Sequence, residues 1–224
     1  SESSVSGLDY NFSSVYQLNI GEKTTLFSSI IYQPEATYNS KNKQLITTAN
    51  PTGSYGGDFE EIDLSAMGLD ETDIIIPKSL SFGFGAGQDK KWFFGINYKK
   101  SDGGGYKNQL MGLDNVEFKS SQTFSLGGFY LPKYDSFTNY FNTLTYRFGL
   151  RYKRGGLYVN NQQINELGLN FGFGIPLAGI SSANLGFEIG QRGTSKANLI
   201  KENFFSIRLG VSLSDLWFIK SMYN

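Results

Sequence analysis

Six charged residues interrupt segments that otherwise alternate between large apolar and small side chains. Four are arginines and two are glutamates: Arg147, Arg151, Glu166, Glu188, Arg192 and Arg208. An arginine can hold a carboxylate through two parallel N–H···O bonds, so this excess of arginine suits a carboxylate ligand. The same side chains can instead pair with one another or with a plug, because charges removed from water need partners.

The composition excludes most enzymatic and metal chemistry. The 224 residues contain neither cysteine nor histidine, so thiolate nucleophiles, imidazole bases and the commonest transition-metal ligands are absent. A lipase-type nucleophile would lack its usual histidine base. The 20 basic residues balance the 20 acidic ones, which leaves no basic excess to hold nucleic acid. We predict no enzyme activity, no catalytic residue, no metal and no cofactor.

Large apolar residues alternate with small or polar ones along most of the chain. This period of two residues is typical of β-strands. Seven segments show it clearly, at residues 79–87, 91–99, 123–130, 143–152, 166–175, 184–190 and 205–213. Two more segments, at about 5–19 and 22–37, show it more weakly. The pattern predicts an all-β fold with nine antiparallel strands.

The residues between the apolar ones indicate what the apolar side contacts. A soluble sandwich places many charges there, whereas Gly, Ser, Thr and Asn dominate in this chain. A charge that faces lipid at mid-membrane costs about 2–4 kcal/mol, and the charges within strands lie opposite the apolar rows. We predict a transmembrane up-and-down β-barrel in the cell outer membrane, in contact with lipid and lipopolysaccharide. Six aromatic residues are interpreted as interfacial girdles: Tyr10, Tyr32, Trp92, Tyr130, Tyr152 and Trp217.

The connections between these strands alternate between short and long. Outer-membrane barrels have short periplasmic turns and longer external loops. We predict external loops at about 38–76, 102–120, 154–162 and 193–200, and a periplasmic tail at 219–224. Nine strands with an external start do not fit the even strand number of complete bacterial barrels. We therefore expect residues 1–224 to be the C-terminal part of a longer barrel.

The first long loop is acidic. Its seven carboxylates match no calcium-loop spacing, so we expect a solvated loop and no metal site. Within this loop, residues 59–69 place apolar side chains at the spacing of a short amphipathic helix. The carboxylates belong to Asp58, Glu60, Glu61, Asp63, Asp70, Glu71 and Asp73.

Glycines are frequent on the small-residue side of the predicted strands. They include Gly83, Gly85, Gly87, Gly168, Gly172, Gly174, Gly186 and Gly190. Bare backbone allows a hatch or a ligand to approach closely. Glycine also permits barrel curvature, and the sequence leaves both explanations open.

Some stretches follow an order that is known from one family. Residues 76–85 read IPKSLSFGFG, and residues 89–92 read DKKW. A Gly-rich strand, a turn and another strand follow at about 120–153, and an aromatic-ended strand closes the chain at about 204–218. This order resembles the outer-membrane long-chain fatty-acid transporters of the FadL type. The resemblance implies that the chain corresponds to the last nine of fourteen strands, without the N-terminal hatch.

Two functions follow from these observations. The resemblance implies an outer-membrane channel for hydrophobic small molecules such as long-chain fatty acids, with the six charged residues as a lumenal ligand-binding group. The alternative is a non-transporting, FadL-like accessory subunit of a larger outer-membrane complex, with loops and tail as docking surfaces. The expected partners are a hydrophobic ligand in the first case and other outer-membrane proteins in the second.

Overall fold

The computed structural model describes residues 2–49, 55–103, 115–136, 138–177 and 181–213. No helix in these ranges is long and apolar enough to cross a membrane. Three 3₁₀ turns lie at Ser65–Met67, Tyr140–Thr143 and Lys196–Asn198. The strands are β1 (Glu2–Gly7), β2 (Phe12–Ile20), β3 (Thr24–Gln33), β4 (Ala36–Ala49), β5 (Tyr55–Ile62), β6 (Glu71–Ile76), β7 (Ser79–Gln88), β8 (Trp92–Ser101), β9 (Val116–Phe118), β10 (Ser121–Tyr130), β11 (Thr145–Arg154), β12 (Leu157–Val159), β13 (Gln162–Gln163), β14 (Glu166–Pro176), β15 (Ser182–Gly193) and β16 (Lys201–Ser212).

One nine-stranded sheet dominates the fold. Its order is β16-β15-β14-β11-β10-β8-β7-β3-β2, and every neighbouring pair is antiparallel. The predicted all-β, antiparallel fold is confirmed, and each of these nine strands overlaps one of the nine predicted segments. Among the described residues, no ladder joins β2 to β16, so the sheet has two edges.

The two faces of this sheet differ in chemistry. We call the face that carries Phe84 and Ile96 the outer face and the opposite face the inner face. Cross-strand register places the apolar rows of neighbouring strands side by side, as in Leu126 opposite Ile96 and Leu150. The large side chains of the outer face are exposed and do not pack into a protein interior. Exposed residues along this face include Phe82, Phe84, Phe94, Ile96, Phe124, Phe148, Phe171, Ile189, Phe205, Ile207, Leu209 and Val211.

Aromatic rows border the apolar band of the outer face. Trp92, Tyr130 and Tyr146 lie opposite one another near the short turns, and Tyr98, Phe124 and Tyr152 do so near the other end. Six residues separate Trp92 from Tyr98 along β8, or about 20 Å of strand at ~3.3 Å per residue, which is close to the height of a barrel's apolar band. The predicted girdle residues Tyr10 and Tyr32 are exposed at the long-connection end. Trp217 lies outside the described residues.

The predicted loop at 38–76 is not a loop. Strands β4, β5 and β6 fall within it, and β4 pairs with β1, β5 and β6 in a four-stranded sheet. Pro34 has no N–H to donate, so the second predicted strand, at about 22–37, ends as β3 at Gln33, before β4 begins. The first predicted strand, at about 5–19, is likewise two strands, β1 and β2.

The helix predicted at 59–69 is also wrong. Strand β5 continues to Ile62, and a single 3₁₀ turn follows it. The Asp63 carboxylate accepts hydrogen bonds from the hydroxyl and, at 3.0 Å, the backbone N–H of Ser65, and these bonds lower the pKa of Asp63. Gly68 ends the turn with φ +65°, a left-handed conformation that glycine adopts without strain.

The loops predicted at 102–120 and 154–162 pair with each other. β9 pairs with β12, and β12 pairs with β13, in a three-stranded sheet. The N–H of Lys119 donates to the Gly156 carbonyl at 2.7 Å. A Cβ on Gly156 would collide with the Lys119 carbonyl, so the close approach requires glycine. Lys119 also pairs with Glu117 at 2.8 Å, and that hydrogen bond raises the pKa of Lys119.

The last predicted loop, at 193–200, contains the 3₁₀ turn Lys196–Asn198. The predicted tail at 219–224 lies outside the described residues. Following the chain through the sheet places the four connections predicted as external loops, and therefore both smaller sheets, at one end of the nine-stranded sheet, the long-connection end. The opposite end carries the tight turns at 21–23 and 89–91, and also the connection between β10 and β11 at 131–144, which contains the 3₁₀ turn Tyr140–Thr143.

Asn42 holds the four-stranded sheet together. Its Nδ2 donates to the Thr72 hydroxyl at 2.9 Å and to the Leu69 carbonyl at 3.0 Å, and its Oδ1 accepts from the hydroxyls of Ser3 and Ser40. Ser40, Asn42 and Thr72 are all buried. One side chain therefore satisfies buried polar groups on β4, β6 and the turn before β6, and also bonds β1.

Asn42→Ala should loosen this sheet, because it removes the partner of Thr72 and Ser40 in a buried site. Unsatisfied buried groups cost about 1–3 kcal/mol each, so we expect a loss of about 3 kcal/mol. Limited proteolysis should show faster cleavage within 36–76. Asn39→Ala on the same strand is the control, and equal cleavage rates in the two variants would contradict this role for Asn42.

Ile96→Arg tests whether the outer face contacts hydrocarbon. Ile96 is 51% exposed in the middle of the apolar band, where an arginine should cost about 2–4 kcal/mol in lipid. We expect the yield of membrane-inserted protein to fall. Asn170 lies on the inner face opposite Glu188, so Asn170→Arg should insert with little loss; equal yields from both variants would argue against a lipid-facing surface.

Candidate functional site

Four adjacent strands carry the six predicted site residues on the inner face. Arg147 and Arg151 lie on β11, Glu166 on β14, Glu188 and Arg192 on β15, and Arg208 on β16. In the antiparallel register Glu166 lies opposite Arg192 and Gly168 lies opposite Arg151. Residues two or four apart on one strand share a face, and the ladders bring these rows together.

Five of the six side chains form one continuous chain of ion pairs. Glu166 accepts from Arg192 Nη2 at 2.7 Å and from Arg151 Nη2 at 2.7 Å. Glu188 accepts from the same Arg151 Nη2 at 3.1 Å and from Arg208 Nη2 at 2.7 Å. We call this group the ion-pair chain: in order, Arg192, Glu166, Arg151, Glu188 and Arg208.

Burial is unequal along the ion-pair chain. The side chains of Glu188 and Glu166 are 6% and 11% exposed, whereas that of Arg208 is 73% exposed. Gly168 contributes to this arrangement, because a Cβ there would lie 3.2 Å from Glu188 Oε1. The two carboxylates are therefore enclosed by arginines, and each is bonded by two of them.

Arg147 stands apart from the ion-pair chain. Its Nη1 donates to Asn184 Oδ1 at 2.6 Å, and it has no carboxylate partner among the described residues. Register places Arg147, Gly172, Gly186 and Arg208 in one row across four strands. The two glycines form the floor of a depression of about 440 Å³ with an arginine at each side.

The six predicted site residues interact mainly with one another. One explanation from the sequence was that these charged side chains pair with one another, and five of the six residues do so. Binding of a ligand carboxylate by the same arginines stays a prediction. Because four arginines face two glutamates, the inner face carries a surplus of two positive charges in this region.

Sequence reasoning missed an aromatic layer on the inner face. The ring of Phe93 lies 5.8 Å from that of Phe27 and 6.2 Å from that of Phe129. It also covers bare backbone, because a Cβ on Gly85 or Gly95 would lie 2.7 Å or 3.1 Å from its atoms. The sequence did carry a signal, because β3, β8 and β10 each have one phenylalanine at a position that the alternation assigns to the inner face. Part of the glycine-lined space thus holds the chain's own aromatic ring.

Glu188→Ala should destabilise the protein, because it leaves Arg151 and Arg208 without a shared carboxylate. The arginines left behind are 43% and 73% exposed and Arg151 keeps Glu166, so we expect a loss of about 1–3 kcal/mol, less than the cost of leaving a fully buried charge unpaired. Urea unfolding in detergent, followed by tryptophan fluorescence, should show this loss. Glu202→Ala on β16 removes an exposed glutamate and should change little; equal effects of the two substitutions would contradict the role assigned to Glu188.

The comparisons with known proteins fit an outer-membrane sheet of this kind. A family model described as BamG matches residues 1–224, whereas the comparison with curated proteins gave no match. The BamG family is an outer-membrane-associated component, which confirms the predicted localisation. The match does not support the resemblance to FadL-type transporters. Because the match extends over residues 1–224, this chain belongs to the BamG family.

Proposed function

We propose that this protein is a non-transporting accessory subunit of an outer-membrane protein complex related to the BAM complex. The observation that carries this proposal is the BamG family match over residues 1–224. It favours the second of the two functions that the sequence suggested. Transport of long-chain fatty acids has no comparable support.

The inner face supports this proposal. A carboxylate anchor needs a guanidinium group with free donors, yet Arg151 and Arg192 already donate to Glu166. A ligand would have to replace a charge-assisted bond that is already made. The ion-pair chain therefore resembles a network of charges that pair with one another more than an open ligand site, with the buried Nε of Arg151 left without a hydrogen-bond partner among the described residues.

The long-connection end offers a surface for other proteins. External loops of outer-membrane barrels leave the membrane, and here these connections form the four-stranded and three-stranded sheets. Val5, Leu45 and Ile46 on the four-stranded sheet are 51%, 46% and 52% exposed. Leu45 and Ile46 are consecutive in β4 and therefore face opposite sides of this sheet, so each side offers an apolar side chain to a protein partner.

Purification from the native membrane tests the proposal. We expect a tagged copy, extracted in mild detergent, to retain other outer-membrane proteins in fixed stoichiometry through size-exclusion chromatography, because a subunit is held by a specific interface. Mass spectrometry should identify the co-purifying chains. An unrelated outer-membrane barrel with the same tag and expression level is the control.

One result would overturn the proposal. The tagged protein would elute alone in two different detergents, and its deletion would reduce uptake of a hydrophobic compound without changing any outer-membrane complex. That combination would favour the channel function instead.

A further inference from the structure

Two cations lie on the outer face beyond one of its aromatic rows. In the antiparallel register Gln122 of β10 lies opposite Lys100 of β8 on one side and Arg154 of β11 on the other. Side chains two residues apart on a strand share a face, so Lys100 lies on the outer face with Tyr98. Arg154 likewise lies on the outer face with Tyr152. We call Lys100, Gln122 and Arg154 the basic patch.

The basic patch lies at the depth of lipid headgroups. Tyr98, Phe124 and Tyr152 form the aromatic row that borders the apolar band, and aromatic belts of this kind mark a membrane–water interface. Lys100 and Arg154 follow that row by two residues towards the long-connection end, or about 6–7 Å of strand. Long basic side chains at this depth extend into the headgroup layer.

The described residues do not neutralise the two cations of the basic patch. Lys100 and Arg154 are both exposed, and neither forms an ion pair within the described ranges. Asp102 follows Lys100 by two residues, but its carboxylate pairs with Lys78 at 3.4 Å. One strand separates the two cations, so their backbones are about 10 Å apart. An anion can therefore meet both charges.

A phosphorylated lipid has the chemistry that suits this position. Phosphate oxygens accept charge-assisted hydrogen bonds from lysine and arginine, and basic residues next to a membrane attract anionic headgroups. Below the basic patch, Ile96 and Leu126 are exposed on the same face, where the acyl chains of that lipid would lie. A free anion or an acidic protein segment would use the charges but not the apolar surface beneath them.

The basic patch lies within the sheet and not at its edges. Strands β8, β10 and β11 are each paired on both sides, so the patch does not depend on what adjoins β2 or β16. The long connections of outer-membrane barrels are external. The lipid that meets the patch therefore belongs to the external leaflet.

We propose that the basic patch binds a phosphate group of lipopolysaccharide. Lys100 and Arg154 donate to the phosphate oxygens from two sides, and the side-chain amide of Gln122 lies between them as a further donor. The acyl chains lie along the apolar band below. This binding requires the outer-membrane location and goes beyond the accessory-subunit function, on which it does not depend.

Binding of purified lipid A tests the phosphate contact. Native mass spectrometry of the full chain in a non-ionic detergent measures the bound fraction of lipid A with its phosphates and of the same lipid without them. We expect the combination of Lys100→Gln and Arg154→Gln to weaken binding of phosphorylated lipid A by about thirtyfold, because each cation near an anionic lipid surface contributes about fivefold. The dephosphorylated lipid should bind both proteins equally and more weakly.

The opposite face provides a matched control. Lys99 and Lys153 lie on either side of Thr123 on the inner face, and both are exposed. Lys99→Gln with Lys153→Gln removes two charges from the same two strands and should leave binding of lipid A unchanged. The charge-conserving pair Lys100→Arg and Arg154→Lys should retain it, and thermal unfolding checks that every variant is folded. Equal losses in the two double-glutamine variants would overturn the proposal.

Photo-crosslinking in living cells identifies what covers the basic patch. A photoreactive phenylalanine analogue is placed at Gln122 in the full chain, and Thr123 on the inner face is the control position. We expect an adduct with lipopolysaccharide at Gln122 and none at Thr123. Capture of a protein, or of no lipid, at Gln122 would overturn the proposal.

A free anion is distinguished from a lipid by a binding measurement with inorganic phosphate alone. We expect inorganic phosphate to bind far more weakly than lipid A, because it gains nothing from the apolar surface below the basic patch. Equal affinities would overturn the proposal in favour of a site for free anions. Neither this result nor capture of a protein at Gln122 would contradict the accessory-subunit function, which co-purification tests separately.

Discussion

The large apolar side chains on the outer face of the nine-stranded sheet are exposed, and such a surface is stable in hydrocarbon but not in water. In the described residues the buried apolar side chains are Ala36, Leu64 and Leu144, too few to form the core of a soluble protein of this size. Hydrocarbon is as apolar as leucine, so burial provides little force between strands in a bilayer. The backbone ladders and the inner-face contacts must therefore hold the sheet together.

This constraint gives the inner-face charges a structural role. The ion-pair chain links β11, β14, β15 and β16, the four strands that lead to one edge of the sheet. Towards the other edge the inner face is joined by aromatic contacts, with Phe93 between Phe27 and Phe129. Each half of the sheet thus has its own cross-strand contacts: ion pairs in one, and in the other aromatic contacts together with hydrogen bonds such as the one that Asn97 donates to Ser81.

The sequence predicts this sheet well because its signal is local. Alternation within ten residues reveals both the strand and the face of each side chain, so Arg151 and Glu188 could be assigned to one face without a structure. The smaller sheets depend on distant partners: β1 pairs with β4 across more than thirty residues, and Asn42 bonds Thr72. No local pattern encodes such pairings, so the sequence predicts a loop at 38–76 where the structure has strands.

The same limit explains why residue types alone did not separate channel from subunit. Four arginines and two glutamates suit either a ligand site or an internal network, and only distances decide which pairs form. Once Arg151 and Arg192 donate to Glu166, exposed free donors remain mainly on Arg208, which lies on the edge strand β16, and on Arg147, which lies three strands away on β11. A ligand within the wall would have to compete with these pairs.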